Sequence, residues 1–509
     1  MLARIPTARP YRPHLRRSLC GLASRGVLSA ALLAACGTPG VRGVAGTAPA
    51  PNVLWTPPQR DVPEAAVRPP APAIPPDVAE RVAQLRLADV IDIALRNNSA
   101  TRAAWADARA AAASYGVARG QYYPTVGLGA TAQAIKRIAS GGVGASKQQS
   151  YGPSVTVSWL LLDFGGRSGS VGAARDALLA ADWTHNATLQ TIVLAVEQAY
   201  FQYLGTKALL DAQQTTLTEA QTNLGAAEQR HRVGLATIAD VLQARTALSQ
   251  ARLALESTQG ELQTTRGALA LSMGLPANVP YDIAVQPDTS LPPPGVAEDV
   301  DTLIARAVRE RPDLAAQRAQ VEQARARVAV ARSQALPSLS VGGTASQTYF
   351  VQQAGSRSLL PGNGYTATLT LSIPFFSGGS QVYGVKAASA AADAAASRAQ
   401  GFEQQVIYEV FNAYYALRTA TQQVRTSRDL LASATESEQV ALGRYKAGAG
   451  SLLDLLTAQA ALASARAQAI QVRFAWNTAL AQLAHDVGIL GLDGGSPLQL
   501  QPDSTDSRK

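Results

Sequence analysis

The sequence predicts a mixed α and transmembrane β fold. Long antiparallel α-helical coiled-coil hairpins are joined to four membrane-spanning strands, and the whole plan is built twice. Three observations predict it. First, the chain repeats itself: Pro124 is matched by Pro337 and the Gly165-Gly166 pair by Gly378-Gly379 at one spacing, while Gly234, Asp240 and Gly274 are matched by Gly448, Asp454 and Gly488 at a spacing one residue longer. A unit that long is a duplicated half-protein, because solenoid repeats have periods of roughly 20–50 residues. Second, four segments alternate strictly between apolar and polar residues. Third, long proline-free stretches carry large residues seven apart.

The N-terminus reads as a secretion signal over residues 1–35, with Arg16, Arg17 and Arg25 as its basic region and Gly26 to Ala35 as its short apolar run. That run ends Leu33-Ala34-Ala35-Cys36, small residues before a cysteine in the manner of a bacterial lipobox. Cleavage before Cys36 would leave its thiol to carry lipid, and Gly37 rather than Asp at the next position resembles lipoproteins sent on to the outer membrane. Cys20 falls in the removed segment, so the mature chain would have one cysteine and no internal disulfide. Residues 36–84, rich in Pro and Ala, read as an extended tether. The formal charge is +9, but six arginines precede Cys36, and their removal leaves +3. A near-neutral mature chain gives no reason to invoke nucleic acid.

The first repeat is expected over residues 85–285, the second over 286–490, and a polar tail over 491–509. A helix should start at Leu87-Ala88-Asp89 and run to about Gly120, with Pro124 beyond it. In the first alternating segment Val126, Leu128, Ala130 and Ala132 oppose Thr125, Gly127, Thr131 and Gln133; in the second Val155, Val157, Trp159 and Leu161 oppose Ser154, Thr156 and Ser158. In the third Leu339, Val341 and Ala345 oppose Ser338, Ser340, Thr344 and Ser346; in the fourth Ala367, Leu369, Leu371 and Ile373 oppose Thr366, Thr368, Thr370 and Ser372. Such alternation gives each strand one apolar and one polar face, at lengths that suit a tilted membrane-spanning strand. Tyr122, Tyr123, Phe164, Phe375 and Phe376 would mark one membrane interface, and Tyr151, Tyr349, Phe350 and Tyr365 the other. Polar loops at about 137–150 and 353–364 would be the outward tips. A soluble sandwich with one wet face is the competing reading, weakened because the polar face is mostly Ser, Thr and Gly with almost no charge.

After each strand pair comes a Gly-Gly turn and a helical stretch without proline, the first from Ser170 to Arg232. Tyr203, Leu210, Leu217 and Leu224 fall seven apart, as do Val241, Leu248, Leu255, Leu262 and Leu269 on the returning helix. Ala244, Ala251 and Thr258 follow three residues after the first three of these, and such alternation of large and small residues favours close coiled-coil packing. Leu455, Leu462, Ala469, Trp476 and Leu483 repeat the pattern. With aromatics at 6% the core must be thin and helix-on-helix. No segment has ~20 consecutive apolar residues, so a membrane crossing must be made by strands in a closed barrel.

Enzyme chemistry and cofactors find no support. Of four histidines, His14 lies in the signal, and His185, His231 and His485 are far apart with no metal-ligand spacing. No phosphate-binding loop or nucleophile elbow appears in a fitting context. The tight reversals at Val233-Gly234-Leu235 and Ala447-Gly448-Ala449 are the places left to carry function.

Lipobox, tether, strand pairs, coiled-coil hairpins and duplication together resemble the TolC/OprM family of outer-membrane efflux channels, over about residues 85–490. The lipid anchor and tether resemble its NodT-type lipoprotein branch, which serves resistance-nodulation-division pumps. Leu87-Ala88-Asp89 through Asn97-Asn98 resembles the family's opening helix, with Ser99 where Pro is usual. Arg230-His231-Arg232-Val233-Gly234 through Ile238-Ala239-Asp240-Val241-Leu242 resembles its first hairpin tip, and Arg444-Tyr445-Lys446-Ala447-Gly448 through Leu453-Asp454-Leu455-Leu456 its second.

Four strands cannot close a water-filled barrel alone, so copies must share one. The resemblance implies three copies, a 12-stranded outer-membrane β-barrel and an α-barrel continuing the wall below it. It further implies a periplasmic adaptor docking at Val233, Gly234, Leu235, Ala447, Gly448 and Ala449, and an inner-membrane pump. Asp240 and Tyr445 match an aperture lock, but Gly450 lacks the family's Arg; Asp454 matches a pore-ringing carboxylate, and Thr457 replaces a second one. Both Asp240 and Asp454 equally suit a helix N-cap or first-turn role. A type I secretion channel and a structural envelope lipoprotein without a pore are the alternatives. The cargo is not written in the residues.

Overall fold

A computed structural model describes residues 74, 82, 84–138, 145–283, 298–351 and 359–491, all within the unit Pro72–Lys509. Cys36, the signal, most of the tether and all but the first residue of the tail lie outside the described residues. The element order is α1 (Leu87–Asn97), α2 (Ser99–Gly120), β1 (Thr125–Ile138), β2 (Ala145–Leu162), α3 (Gly166–Arg232), α4 (Ile238–Ser272), α5 (Val300–Glu310), α6 (Pro312–Ser333), β3 (Ser338–Val351), β4 (Leu359–Ser372), α7 (Ser380–Lys446) and α8 (Leu452–Val487).

The opening helix is two helices, not one. The chain leaves the helical region at Asn98 (φ −63°, ψ 131°), whose side chain accepts a hydrogen bond from the Ala100 amide at 2.8 Å and caps α2. The second repeat makes the same break at Arg311 (φ −68°, ψ 120°), but there Pro312 at the first helical position forces it. An Asn cap therefore does in one half what proline does in the other. Each break is covered by the glycine after the returning helix: Gly274 (φ +71°) lies against Asn97 and Gly488 (φ +85°) against Arg311, where a β-carbon would sit 2.9 and 3.0 Å from backbone atoms.

The four strands form one antiparallel sheet in the order β1-β2-β3-β4, so the central pairing joins the two repeats. Register keeps like faces together. Val126 opposes Val157, Leu128 opposes Val155, Trp159 opposes Val341, and Val341 opposes Leu369; on the other face Thr125 opposes Ser158, Thr156 opposes Thr344, and Thr344 opposes Thr366. The strands run further than the alternation suggested. β1 continues to Ile138, β2 begins at Ala145 and β4 at Leu359, so main-chain pairing enters both segments read as loops. Ladder hydrogen bonds do not depend on an apolar face, and pairs such as Ile135 with Gln148 extend the sheet after the pattern fades.

Both long helices have 67 residues, roughly 100 Å at 1.5 Å per residue. Their N-caps are Gly165 (φ +106°) and Gly379 (φ +82°), so the extra residue of the second repeat lies in the turn before the helix. The two turns are held differently. Phe164 takes a left-handed φ of +47°. Beside it Arg167 donates to the carbonyls of Leu160 (2.6 Å) and Leu161 (2.9 Å), pairs with Asp163 and covers the Tyr122 ring. Gln381 stands at the position matching Arg167 in the second repeat and donates to the Gln334 carbonyl at 3.2 Å, and Gly378 and Gly379 both take positive φ instead.

Near the sheet α3 packs between α2 and α6, and α6 packs on α7; farther away α3 packs against α4 and α8, and α8 against α7. The heptad residues Val241, Leu248, Leu255, Leu269, Leu455, Leu462 and Leu483 are all buried, as are Ala244, Ala251 and Thr258 between them. The largest core gathers α1, α5, the segment ending at Ile283 and the C-terminal ends of α4 and α8 around the middle of α3 and α7. Main-chain bonds from Leu85 to Asp282 and from Asp282 to Val82 close the first repeat upon itself.

Candidate functional site

The ends of the hairpins farthest from the sheet are built from local rules. At the end of α3, Gly234 takes φ +75°, a left-handed conformation that glycine adopts without penalty. The Leu235 amide then reaches the Arg230 carbonyl (2.8 Å) and the Gly234 amide the His231 carbonyl (3.0 Å), closing the helix C-terminus in a Schellman turn. At the end of α7, Gly448 (φ +73°) repeats it: Ala449 bonds Arg444 (2.8 Å) and Gly448 bonds Tyr445 (3.1 Å).

Each returning helix opens with a capping box. The Thr237 hydroxyl accepts from the Asp240 amide (3.2 Å), while the Asp240 carboxylate accepts from the Thr237 amide (2.8 Å) and hydroxyl (2.7 Å). Ser451 and Asp454 reproduce the box with main-chain bonds of 3.1 and 3.2 Å. These bonds hold both carboxyls below their ordinary range, Asp240 through the Thr237 hydroxyl first and Asp454 through its Ser451 hydrogen bonds. Both acids of the expected aperture therefore cap their own helices within one subunit.

Tyr445 is placed differently. It is buried in a small core with Ala227, Val241, Ala244, Leu452 and Leu455, which ties the two hairpins together just behind their tips. Arg230 of the first hairpin lies over its ring, 4.5 Å from the centroid, and donates to the Tyr445 carbonyl at 3.3 Å. Among the described residues no hydrogen bond or ion pair joins Asp240 to Tyr445. Arg230 belongs to the first tip motif, but nothing in a linear motif tells which hairpin an arginine will cross to.

The tips present different surfaces. Val233, Leu235, Ile238 and Leu242 are exposed on the first, Leu235 at 74%. The second turn offers Ala447, Gly448 and Ala449, all exposed, and Leu452, the counterpart of Ile238, is buried. Behind the tips a cleft of about 250 Å³ between the hairpins is lined by Ala220, Ala251, Ala254 and Ala460. Asn223 donates to Gln459 across it, and Arg466 pairs with Glu219 at 3.1 Å.

At the opposite end the sheet exposes Val126, Leu128, Trp159, Leu369 and Leu371 across one continuous face, Leu128 at 86%. Tyr122, Tyr123, Phe164, Phe375 and Phe376 stand at its helix-proximal end. Tyr151 and Tyr349 stack at 5.5 Å toward the other. About ten residues at ~3.3 Å each, tilted by ~40°, bridge an apolar band of roughly 25 Å, comparable to the interval from Tyr365 on β4 to Phe375 just past the strand's end. Such a face is unstable against water and suited to lipid. No described helix is long and apolar enough to cross a membrane. Among the described residues no group of three His, Cys, Asp or Glu is placed to hold a metal.

Comparison with known proteins agrees with this geometry. The model of the outer membrane efflux protein family matches residues 90–275 and 303–488. Protein CyaE of Bordetella pertussis is 32% identical over 438 residues, covering 84% of this chain and 90% of CyaE. Outer membrane protein OprJ of Pseudomonas aeruginosa is 27% identical over 388 residues, covering 74% of this chain and 78% of OprJ. The crystal structure of a membrane protein from Pseudomonas aeruginosa superposes with a TM-score of 0.69 at 26% identity, covering 81% of this chain and 92% of its own.

Proposed function

Because this chain belongs to the outer membrane efflux protein family, we propose that three copies of it close one duct that empties a periplasmic pump complex to the exterior. The chain is an outer-membrane efflux channel of the TolC/OprM type, and the family consists of channel proteins that are trimeric and work with a periplasmic adaptor and an inner-membrane pump. The observation that carries the trimeric reading is the unclosed sheet. Among the described residues its two edge strands, β1 and β4, have no partner on their outer sides, while its apolar face is continuous. Exposed edges and an apolar face are both tolerated only when further strands complete a barrel in lipid. Four strands from each of three copies give a polar lumen of Ser, Thr and Gly, wide enough for water.

A polar face of Ser, Thr, Gly and Gln discriminates little among solutes, so selectivity is assigned to the pump. Cys36 is assigned to lipid attachment, as in the lipoprotein branch of the family. The turns at Val233, Gly234, Leu235 and Ala447, Gly448, Ala449 are assigned to adaptor docking. Asp240, Tyr445 and Asp454 are assigned to the aperture, where three copies of Asp454 near one axis would repel one another and attract cations.

Purified full-length protein tests this reading. Heat-resistant trimers on a gel and steady conductance in planar bilayers are expected, with Asp454→Ala reducing block by divalent cations. Monomers that conduct no current would remove the duct, and unchanged cation block would remove Asp454 from the aperture. Mass spectrometry of the mature N-terminus, expected to show an acylated Cys36, tests the anchor.

A further inference from the structure

We propose that Arg230 is an intrasubunit latch that holds the two hairpin tips together and so keeps the duct narrow at its periplasmic end. The proposal rests on the reading of the tips as the constriction. It is carried by an asymmetry that the duplication makes visible. Arg230 and Arg444 are counterparts in the two repeats, and each backbone carbonyl closes its own Schellman turn at 2.8 Å. Their side chains then part ways. Arg444 turns back on its own turn, toward the Ala449 carbonyl at 3.4 Å. Arg230 instead crosses to the second hairpin, over the Tyr445 ring and onto the Tyr445 carbonyl.

The cation is well placed there on two counts. A guanidinium over a tyrosine face is attracted by the ring quadrupole, more so where water is partly excluded, and Tyr445 is only 9% exposed. The Tyr445 carbonyl belongs to the last turn of α7, the negative end of a helix, which also favours a cation. Position 231, the counterpart of Tyr445, is His231, whose ring nitrogen stays on the Ala236 carbonyl of its own turn at 2.9 Å. Hence only one of the two possible crossings exists. One residue closes the first turn with its backbone and grips the second with its side chain. The hairpins cannot separate at the tips without withdrawing the guanidinium from the ring.

The latch uses the ring face and the main-chain carbonyl, not the phenol hydroxyl, and this sets the test. Single-channel recordings of full-length trimers in planar bilayers would compare Arg230→Ala, Tyr445→Phe, Tyr445→Leu and Tyr445→Ala with the parent. Losing the contact should raise the open-to-closed ratio about 3- to 30-fold in Arg230→Ala. Tyr445→Leu, which loses the ring but keeps the main-chain carbonyl, should open the channel part of the way toward Arg230→Ala, and Tyr445→Phe should open less than Tyr445→Leu. The double variant Arg230→Ala/Tyr445→Leu should open no further than Arg230→Ala alone. Tyr445→Ala empties the core behind both tips and is the control for the constriction itself. If Tyr445→Ala opens the channel and Arg230→Ala does not, the latch is wrong and the constriction stands. If Tyr445→Phe opens as far as Tyr445→Leu, the hydroxyl is the working group and the latch falls. If no variant changes gating, the tips are not the constriction and both readings fall together.

Discussion

The two hairpin tips share one ancestor and one backbone, yet they have been given different work. Both close with a left-handed glycine, both reopen with an Asp-bearing capping box, and both place an arginine three residues before the helix cap. The first carries exposed Val233, Leu235 and Ile238; the second carries Ala447 and Ala449 and buries Leu452. The first sends an arginine across, and the second receives it on an aromatic ring. The difference teaches that duplication kept what main-chain hydrogen bonding demands and released the side chains that meet a neighbour. The strand-to-helix junctions divide in the same way, Arg167 clamping one and a pair of left-handed glycines making the other.

The largest effect that could break this comparison lies at the docking surface. If the first tip supplies the apolar contacts, Leu235→Asp should lower efflux about tenfold or more, measured as drug or dye export, while Ala449→Asp lowers it less. Gly234→Asp and Gly448→Asp should both abolish efflux and adaptor crosslinking with trimers intact. Equal losses at positions 235 and 449 would erase the functional distinction between the tips, and unchanged crosslinking would remove the docking role. Next comes the junction. Arg167→Ala strips a partly buried ion pair and two carbonyl contacts, and should cost about 2–3 kcal/mol, read as a lowered melting temperature of the trimer. Gln381→Ala at the matching position loses one exposed hydrogen bond and should cost less, about 0.5–1 kcal/mol.

A smaller effect is expected at the helix breaks. Asn98→Ala removes the side-chain cap of α2 and should cost about 1 kcal/mol, whereas the break before α6 is set by backbone geometry and should outlast loss of the Arg311 side chain's local contacts. Hydrogen exchange at the Ala100 amide would report it. The smallest effect separates the capping boxes by pH. Both carboxyls titrate below their unfolded values, so their contribution is present above the ordinary carboxylate range and disappears as pH falls through the folded value. Asp240 accepts two bonds, at 2.7 and 2.8 Å, and Asp454 a longer one at 3.2 Å, so the second tip should lose amide protection at the higher pH on acidification.

Much of this was legible in the residues. The alternation of Val126 and Leu128 with Thr125 and Gly127 announced a sheet with one lipid face, since the period of a strand puts alternate side chains on opposite sides. The seven-residue spacing of Leu248, Leu255 and Leu455, Leu462 announced buried seams, and Gly234 and Gly448 announced turns. Less legible was the break at Asn98, because a capping asparagine is a weaker signal than the proline of the other repeat. The outer ends of the strands look like loops in the sequence because backbone pairing outlasts the side-chain pattern that reveals it.

The sequence by itself determined what depends on neighbours along the chain: the periodicities, the left-handed glycines, the Thr237–Asp240 and Ser451–Asp454 caps, and the duplication that makes a half-wall twice. Only the tertiary structure decided what depends on neighbours across space. It set β2 against β3 to weld the repeats into one sheet, laid Gly274 and Gly488 over the two helix breaks, and carried Arg230 to Tyr445 rather than home to its own turn. Local hydrogen bonds are fixed within a few residues, whereas a long cationic side chain settles on whichever carbonyl and ring the packed helices bring within its reach.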